Sequence, residues 1–521
     1  MNESYRTNQE NSYVVNNYFH QEESMKEETK KEETILTRQM KKQFAFFGPA
    51  SILYALFYTF CLYRNASGIT YPFFVVGTLC YFFLSMKKLG VPYKKNSLFY
   101  MIGIILLGIS NCCTDSSELL WMNKLGIFLL TFILILHTLY YDAEWNFPKY
   151  LGAILRTIGC SFTCIFSSLS DLKSFYDAQK LKKDAKNNNI FYILIGFSIA
   201  IPILIVITAL LGSADVVFRN MLMKLLYFDI SFTEMIRITC LFATVLFVSY
   251  AFLTALCKKT VPEDVTVRKT GEPLIAITVT GMLSIVYMIF SLIQIIYLFV
   301  GNMQLPGGYT YAAYARQGFF QLLAVCLINL ILVLACLHFF KDNLILKIIL
   351  TIISGCTFIM ILSSALRMFM YIATYHLTFL RIFVIWSLVV IFLLMTGITV
   401  YIYFQHFPLF FYSVAVVTIF YIGLSFSHPD YWIARYNMNT IDMESDSGDN
   451  RKYGNLYYLS TLSADAAPVL LNEDLNPCYL PDHTDGSWMY DFYRRIDHKS
   501  DQMGIRNFNF SIYYAKKKGG F

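Results

Sequence analysis

Charge is scarce in this sequence. Asp, Glu, Lys and Arg together supply 15% of the 521 residues, while 56% are hydrophobic; a soluble chain carries about 25% charged residues. The deficit is concentrated between Phe44 and Phe426, which excludes an ordinary water-soluble globule. Common catalytic signatures are missing too. There is no Walker loop, no HExxH and no GxSxG, so the standard P-loop, zinc-protease and α/β-hydrolase readings fall away. No basic stripe, RNP-type motif or finger spacing accompanies the net charge of +7, and nucleic acid is not an expected partner. The 12 cysteines show no CxxC spacing. They read as small apolar packing residues, and neither a metal nor another cofactor is expected. No carboxylate pair falls in the middle of an apolar run, which weighs against a proton-coupled pump and leaves substrate-only transport open.

Long apolar runs are what the chain has in plenty. Stretches of about 20 residues with hardly a charge suffice to cross a hydrocarbon core of about 30 Å. They fall at 44–63, 69–86, 121–140, 190–211, 235–256, 273–300, 319–340, 344–366, 380–402 and 408–426, with a shorter apolar helix expected at 98–110. The expected fold class is therefore an all-α polytopic membrane protein with about eleven transmembrane helices. Asn123 and Lys124, near the start of the run at 121–140, are placed to snorkel to the interface. Residues 1–43 lack the apolar core of a secretory signal and mix acids with bases from Glu22 to Lys31; they read as a disordered cytoplasmic extension. The stretch 141–189 is apolar but broken by Arg156, Ser161, Ser167, Ser168, Asp171 and Lys173, which suits an amphipathic helix on the cytoplasmic surface.

The loops carry a direction. Arg38, Lys41 and Lys42, then Lys87 to Lys95, Lys173 to Lys186, Lys258, Lys259, Arg268, Lys269 and Lys341 all fall on one side of such a topology. The alternate loops hold chiefly Arg64, Arg219, Lys224, Arg316, Arg367 and Arg381. The asymmetry predicts the N-terminus inside and the tail, 427–521, outside as a small extracytoplasmic domain.

This outer face gathers the unusual polar residues. Asp215 follows a Gly-Ser-Ala turn and can cap a helix start. Tyr311 and Tyr314 stand three apart just before Arg316. Arg367, Tyr371 and Tyr375 are spaced by four, which lines them up on one helix side. Thr378 is a plausible N-cap, placing Arg381 in a first turn where a cation opposes the helix dipole; an anion is expected to offset it, whether a lipid phosphate, a ligand or Asp215. Arg435 stands just beyond the last span. Singly, each fits an aromatic belt with snorkelling arginines. As a group, Arg316, Arg367, Arg381 and Arg435 with Tyr311, Tyr314, Tyr371 and Tyr375 suggest a pocket for an anionic headgroup, since guanidinium binds phosphate bidentately. Asp215, or a carboxylate of the tail, is the candidate base if the chain is an enzyme. His428 with Asp430, and Asp482 with His483 and Asp485, fit solvated loops better than metal ligands.

A resemblance rests on these same segments. Leu211 to Phe218, Tyr311 to Phe320, Ala365 to Arg381, Ile433-Ala434-Arg435-Tyr436-Asn437, Tyr458 to Ser463 and Asp465-Ala466-Ala467-Pro468-Val469-Leu470 occur in that order. The set resembles a bacterial multi-pass membrane family catalogued only as a domain of unknown function, number 4173, with number 4153 as a relative. The resemblance runs from about Ile190 into the tail and implies the cytoplasmic membrane of a bacterium. It supplies no activity. The expected function is a component that binds an anionic lipid or envelope precursor at the outer face, in transport or sensing. A membrane-embedded transferase or hydrolase and a structural, partner-docking protein are the alternatives.

Overall fold

The computed structural model describes residues 34–180 apart from 66, 95, 143 and 144, then 232–262, 269–296, 318–443, 457–471 and 488–519, with isolated positions between 196 and 218. Every regular element among them is helical, and the one β feature is an isolated bridge between Gly271 and Phe340. In chain order these are α1 (Ile35–Lys42), α2 (Phe44–Leu62), α3 (Thr70–Lys88), α4 (Ser97–Cys113), α5 (Ser117–Leu139), α6 (Phe147–Thr163), α7 (Ser167–Lys180) and α8 (Phe232–Cys257). Then come α9 (Pro273–Gln294), α10 (Phe319–Phe339), α11 (Leu344–Tyr375), α12 (Phe379–Tyr403), α13 (Leu409–Phe426), α14 (Pro429–Met443), α15 (Trp488–Asp501) and α16 (Phe510–Gly519). A tight turn at Ala464–Ala466 leads into the single turn Ala467–Leu470 between α14 and α15.

Eight of these helices, α2, α5 and α8 to α13, are long and apolar enough to cross a bilayer. α6 and α7 meet that standard only together, bent by 56° at their break, so the described part of 141–189 holds two helices where one surface helix was expected. Of the other expected spans, α3 and α4 are helices that do not meet both criteria, and 190–211 lies largely outside the described residues. Ile35–Lys42, within the stretch read as an extension, is a helix whose Thr37 and Met40 are buried.

The burial pattern fits lipid and not water. α9 buries Ala276, Thr280, Ser284, Ser291 and Gln294 while exposing Leu274, Met282, Ile285 and Val286. A soluble helix would be turned the other way round. In hydrocarbon, bulky apolar side chains face the lipid and small or polar ones pack between helices. The protein is an all-α polytopic membrane protein.

The chain divides into two compact units. The first comprises Met1–Phe60, Tyr81–Pro92 and Gly152–Pro262. Within it Asp171 of α7, 3% exposed, accepts a hydrogen bond from the Tyr250 hydroxyl of α8 at 2.9 Å and lies 3.9 Å from Lys41. Thr34 donates to the Cys257 carbonyl at 2.5 Å, which ties the start of α1 to the end of α8.

The second unit comprises Cys61–Cys80, Tyr93–Leu151 and Glu263–Phe521. Its α4, α5 and α13 share a polar seam around Asn123, which is fully buried and does not snorkel. Its Oδ1 accepts from the Tyr421 and Ser425 hydroxyls, both at 2.7 Å, and its Nδ2 donates to Ser110 and Asn111, both at 3.3 Å. A buried amide in hydrocarbon has no water to turn to, so it fixes the register of three helices. α12 and α13 meet through Gly397, where an added Cβ would lie 2.2 Å from the Tyr412 ring.

The loops of this unit separate to two ends. One end holds Lys94 against Asp142, Lys269 against Asp342, and Lys341 against Glu272. The other holds the turns after α4, α11 and α13 together with the tail, here called the tail-side end. The tail has its own core: Ile433, Ala434, Met438, Leu459, Leu462, Leu470, Phe492, Ile496 and Ile512 pack together, with Leu377, Phe379 and Ile382 of the bundle against them. Its segment Arg506–Asn509 laces onto the turn before α3, where Ile69 N–H donates to the Phe508 carbonyl at 2.8 Å. Gly68 permits that approach, because a Cβ there would sit 2.3 Å from the Asn507 Cα.

Candidate functional site

The arginines of the tail-side end take three different environments. Arg367 lies near the end of α11 with 7% exposure, and its Nη2 donates to Gln294 Oε1 of α9 at 3.2 Å. The same oxygen accepts from Ser363 at 2.6 Å. Arg381 is in the first turn of α12 after Thr378, which is the N-cap but makes no side-chain capping bond. Its Nη1 donates to the carbonyls of Tyr375 and His376, and its guanidinium carbon lies 4.4 Å from the centroid of the Tyr371 ring. The negative partner expected for this cation is therefore the carbonyl end of the preceding helix, whose dipole supplies partial negative charge. His376 reaches the connecting turn in a left-handed conformation, φ 64°, and Asn437 of α14 clamps that turn by bonding both the N–H and the carbonyl of Leu377.

Arg435 is exposed on α14, 5.7 Å over the Trp432 ring and 3.5 Å from the Tyr431 hydroxyl. It stands two residues from Asn437, on the other face of that helix. Tyr371 and Tyr375 pack ring to ring at 4.9 Å. Asp215 belongs to the first unit, where it is exposed and accepts from Phe218 N–H at 3.3 Å in the capping role its position suggests. Arg316, Tyr311 and Tyr314 lie outside the described residues.

A second constellation joins the tail to the bundle. Asp465, in the Asp-Ala-Ala-Pro segment, is buried and accepts from Thr114 Oγ1 at 2.5 Å, from Asp115 N–H at 3.2 Å and from the Ser511 hydroxyl. His428 Nδ1 lies 3.2 Å from it. Asp430 is buried as well, 5% exposed, and accepts from the N–H and hydroxyl of Ser463 at 3.1 and 2.5 Å. Asp115 pairs with Lys499 at 2.7 Å and accepts from Ala464 N–H at 3.3 Å. The expectation of a solvated pair is thus corrected at Asp430, which Ser463 of the tail covers, while the His428 side chain stays 39% exposed. Among the described residues no group of three His, Cys, Asp or Glu side chains is arranged to hold a metal.

Burial and hydrogen bonds push these groups apart. Burial alone would raise the Asp465 carboxyl, but the bonds from His428, Ser511 and Thr114 outweigh it and hold the group below the usual carboxylate range. The bond to Asp465 raises the His428 imidazole, against the opposing effect of burial. Burial lifts Asp430 to about 6, with the Ser463 bonds opposing and the charges of Asp465 and Glu118 adding. The result is a buried anion, an imidazole facing it through Nδ1, and a neighbouring carboxyl lifted to about 6. Such a division of roles is what acid–base chemistry needs, and it is equally what a tight polar joint looks like.

The fold and these constellations define a helical membrane protein with a folded tail seated on one end of its second unit. Residues 101–473 match the family model described as Domain of unknown function (DUF4153), and the chain belongs to that family. The match is to number 4153, expected above as the relative, and it begins well before Ile190, inside α4. It spans Thr114, Asp115, Arg367, Arg381, His428, Asp430, Arg435 and Asp465 and stops short of Lys499 and Ser511. No curated protein and no solved structure matches the chain.

Proposed function

We propose that the protein is a membrane component that binds an anionic headgroup, of a lipid or an envelope precursor, at its tail-side end, in transport or sensing, and that this end faces outward from a bacterial cytoplasmic membrane. One observation carries the reading. At that end guanidinium groups lie over aromatic rings, Arg381 over Tyr371 and Arg435 over Trp432, with Arg435 exposed and Arg381 partly so. A ring holds the planar guanidinium in place at low entropic cost, and a held guanidinium presents paired N–H donors to phosphate. Arg381 already gives one nitrogen to carbonyls, so its role combines joining α11 to α12 with offering charge. The positive-inside bias, with Lys94, Lys269 and Lys341 at the opposite end, supports the orientation.

Reconstitution in nanodiscs of mixed phosphatidylglycerol and phosphatidylcholine tests the proposal. The wild-type chain should enrich the anionic lipid around itself, and the double variant Arg381→Gln/Arg435→Gln should lose most of that enrichment while staying folded. Equal enrichment in both would overturn it.

A second reading is favoured by the Asp465–His428 pair. With Nδ1 facing Asp465, the imidazole would act through Nε2 as general base in a transferase or hydrolase working at the same face. Release of a labelled headgroup by the wild type, abolished in His428→Gln with the fold intact, is the result this reading requires; turnover unchanged in that variant would remove it.

A further inference from the structure

A separate place in the second unit is built for an anion inside the helical bundle, and it uses none of the surface residues just invoked except through their common fold. α10 begins at Gly318, whose φ of 103° suits glycine and which brings no side chain to accept the N–H groups of the first turn. The residue that follows, Phe319, is 2% exposed and packs with Met368 and Ile372 of α11, while Phe320 and Gln321 are exposed, so this helix start is buried on its α11 side. Arg367 of α11 presses against it: a Cβ on Gly318 would lie 3.0 Å from Arg367 Nη1. A guanidinium and the positive end of a helix dipole thus converge at one buried point, an arrangement that favours a negative group between them.

Two further observations point the same way. Ser364 stands one turn before Arg367 on the same helix face, is fully buried, and its hydroxyl has no hydrogen-bond partner. Ser291 stands one turn before Gln294 on the facing helix α9, is 3% exposed, and its hydroxyl is likewise unpartnered. A buried hydroxyl left unmatched destabilises the fold, because it has given up water without gaining a partner. Each stands one turn before its own helix's member of the Gln294–Arg367 hydrogen bond that joins α9 and α11. If the seam served only to pack helices, alanine would fill both positions at lower cost. Hydroxyls that donate, an amide and a guanidinium beside a helix start make a set of donors for an acceptor-only oxyanion.

We infer that Arg367, Gln294, Ser364, Ser291 and the start of α10 form an intramembrane binding site for a phosphate-class oxyanion. The anion arrives either as free phosphate or as the headgroup phosphate of a lipid drawn in from the bilayer.

The test uses the full chain purified in detergent, with thermal unfolding followed at constant ionic strength as inorganic phosphate replaces chloride, and in parallel as phosphatidylglycerol replaces phosphatidylcholine in mixed micelles. A midpoint that rises with inorganic phosphate identifies the free ion, and one that rises only with the lipid identifies the headgroup, by the linkage of binding to stability. Ser364→Ala, which removes an unpartnered group and should fold at least as well, is expected to weaken the response at least threefold in ligand concentration. Arg367→Gln is expected to abolish it. No response of the wild type to either ligand overturns the site, as does a response that both variants keep in full. Failure here leaves lipid enrichment by Arg381 and Arg435 to be read on its own, since that is measured in nanodiscs on different variants.

Discussion

Replacing Asp465 with alanine should release the tail from the bundle. The carboxylate is the meeting point of Thr114, Asp115, His428 and Ser511, four residues brought from the turns after α4 and α13 and from the start of α16. Removing the carboxylate leaves the Thr114 and Ser511 hydroxyls and the Asp115 N–H without their acceptor, at about 1–3 kcal/mol for each group left unsatisfied. At 3 kcal/mol the open population of the tail rises more than a hundredfold. Trypsin reads this directly, since Arg494, Arg495 and Lys499 lie on α15, and in the regime where opening is fast the cleavage rate follows the open population. Asp491→Ala is the control: its pairing with Arg494 is 3.7 Å long and exposed, so the change should stay within about 0.5 kcal/mol. Cleavage of Asp465→Ala at the wild-type rate would refute the assignment of Asp465 as the joint.

The same assay varies with pH. Asp430, lifted to about 6, and His428, raised by Asp465, both prefer their protonated forms in the docked state. Their contributions are full at low pH and are lost as pH rises through the docked values. Asp465 has the opposite sign, its contribution being lost only below the ordinary carboxylate range. With Asp115, Glu118, Lys499 and Arg495 as the surrounding charges, tail protection should be greater at pH 5.5 than at pH 8; a flat profile would contradict this. Asn123→Leu, which leaves Tyr421 and Ser425 hydroxyls without their acceptor, should cost about 1–2 kcal/mol in unfolding measured in mild detergent. Gly397→Val, directed into the Tyr412 ring, should cost at least about 1–3 kcal/mol in the same measurement.

The spans were legible because each is a long apolar run, and the composition of α9 to α13 leaves little else for them to be. Their polar faces were harder to read. Asn123 sits close to a helix start and so resembles an interfacial residue, and only its contacts with Tyr421 and Ser425, some 300 residues away in sequence, make it a buried hub. Arg381 was correctly placed in a first turn against the dipole, but its counter-charge is a pair of carbonyls created by the way α11 ends, which no single residue type announces. Asp465 was visible as part of a recurring segment without a role. Its partners at Thr114 and Ser511 are set by tertiary contacts, and a polar tail gives no periodic signal that Asp430 beneath it will be dry. One clue was available: Pro429 followed by Asp430 reads as a helix start, and a carboxylate there, next to the end of a span, is poorly placed to be solvated.

The central proposal, an anionic headgroup held at the tail-side end, is tested most directly by native mass spectrometry of the full chain released from its own membrane into the gas phase. A bound mass that fragments to a phosphate-bearing headgroup, retained by the wild type and lost from Arg381→Gln/Arg435→Gln, is the predicted result. A wild-type chain that flies without any such adduct, or a double variant that keeps it, would contradict the account.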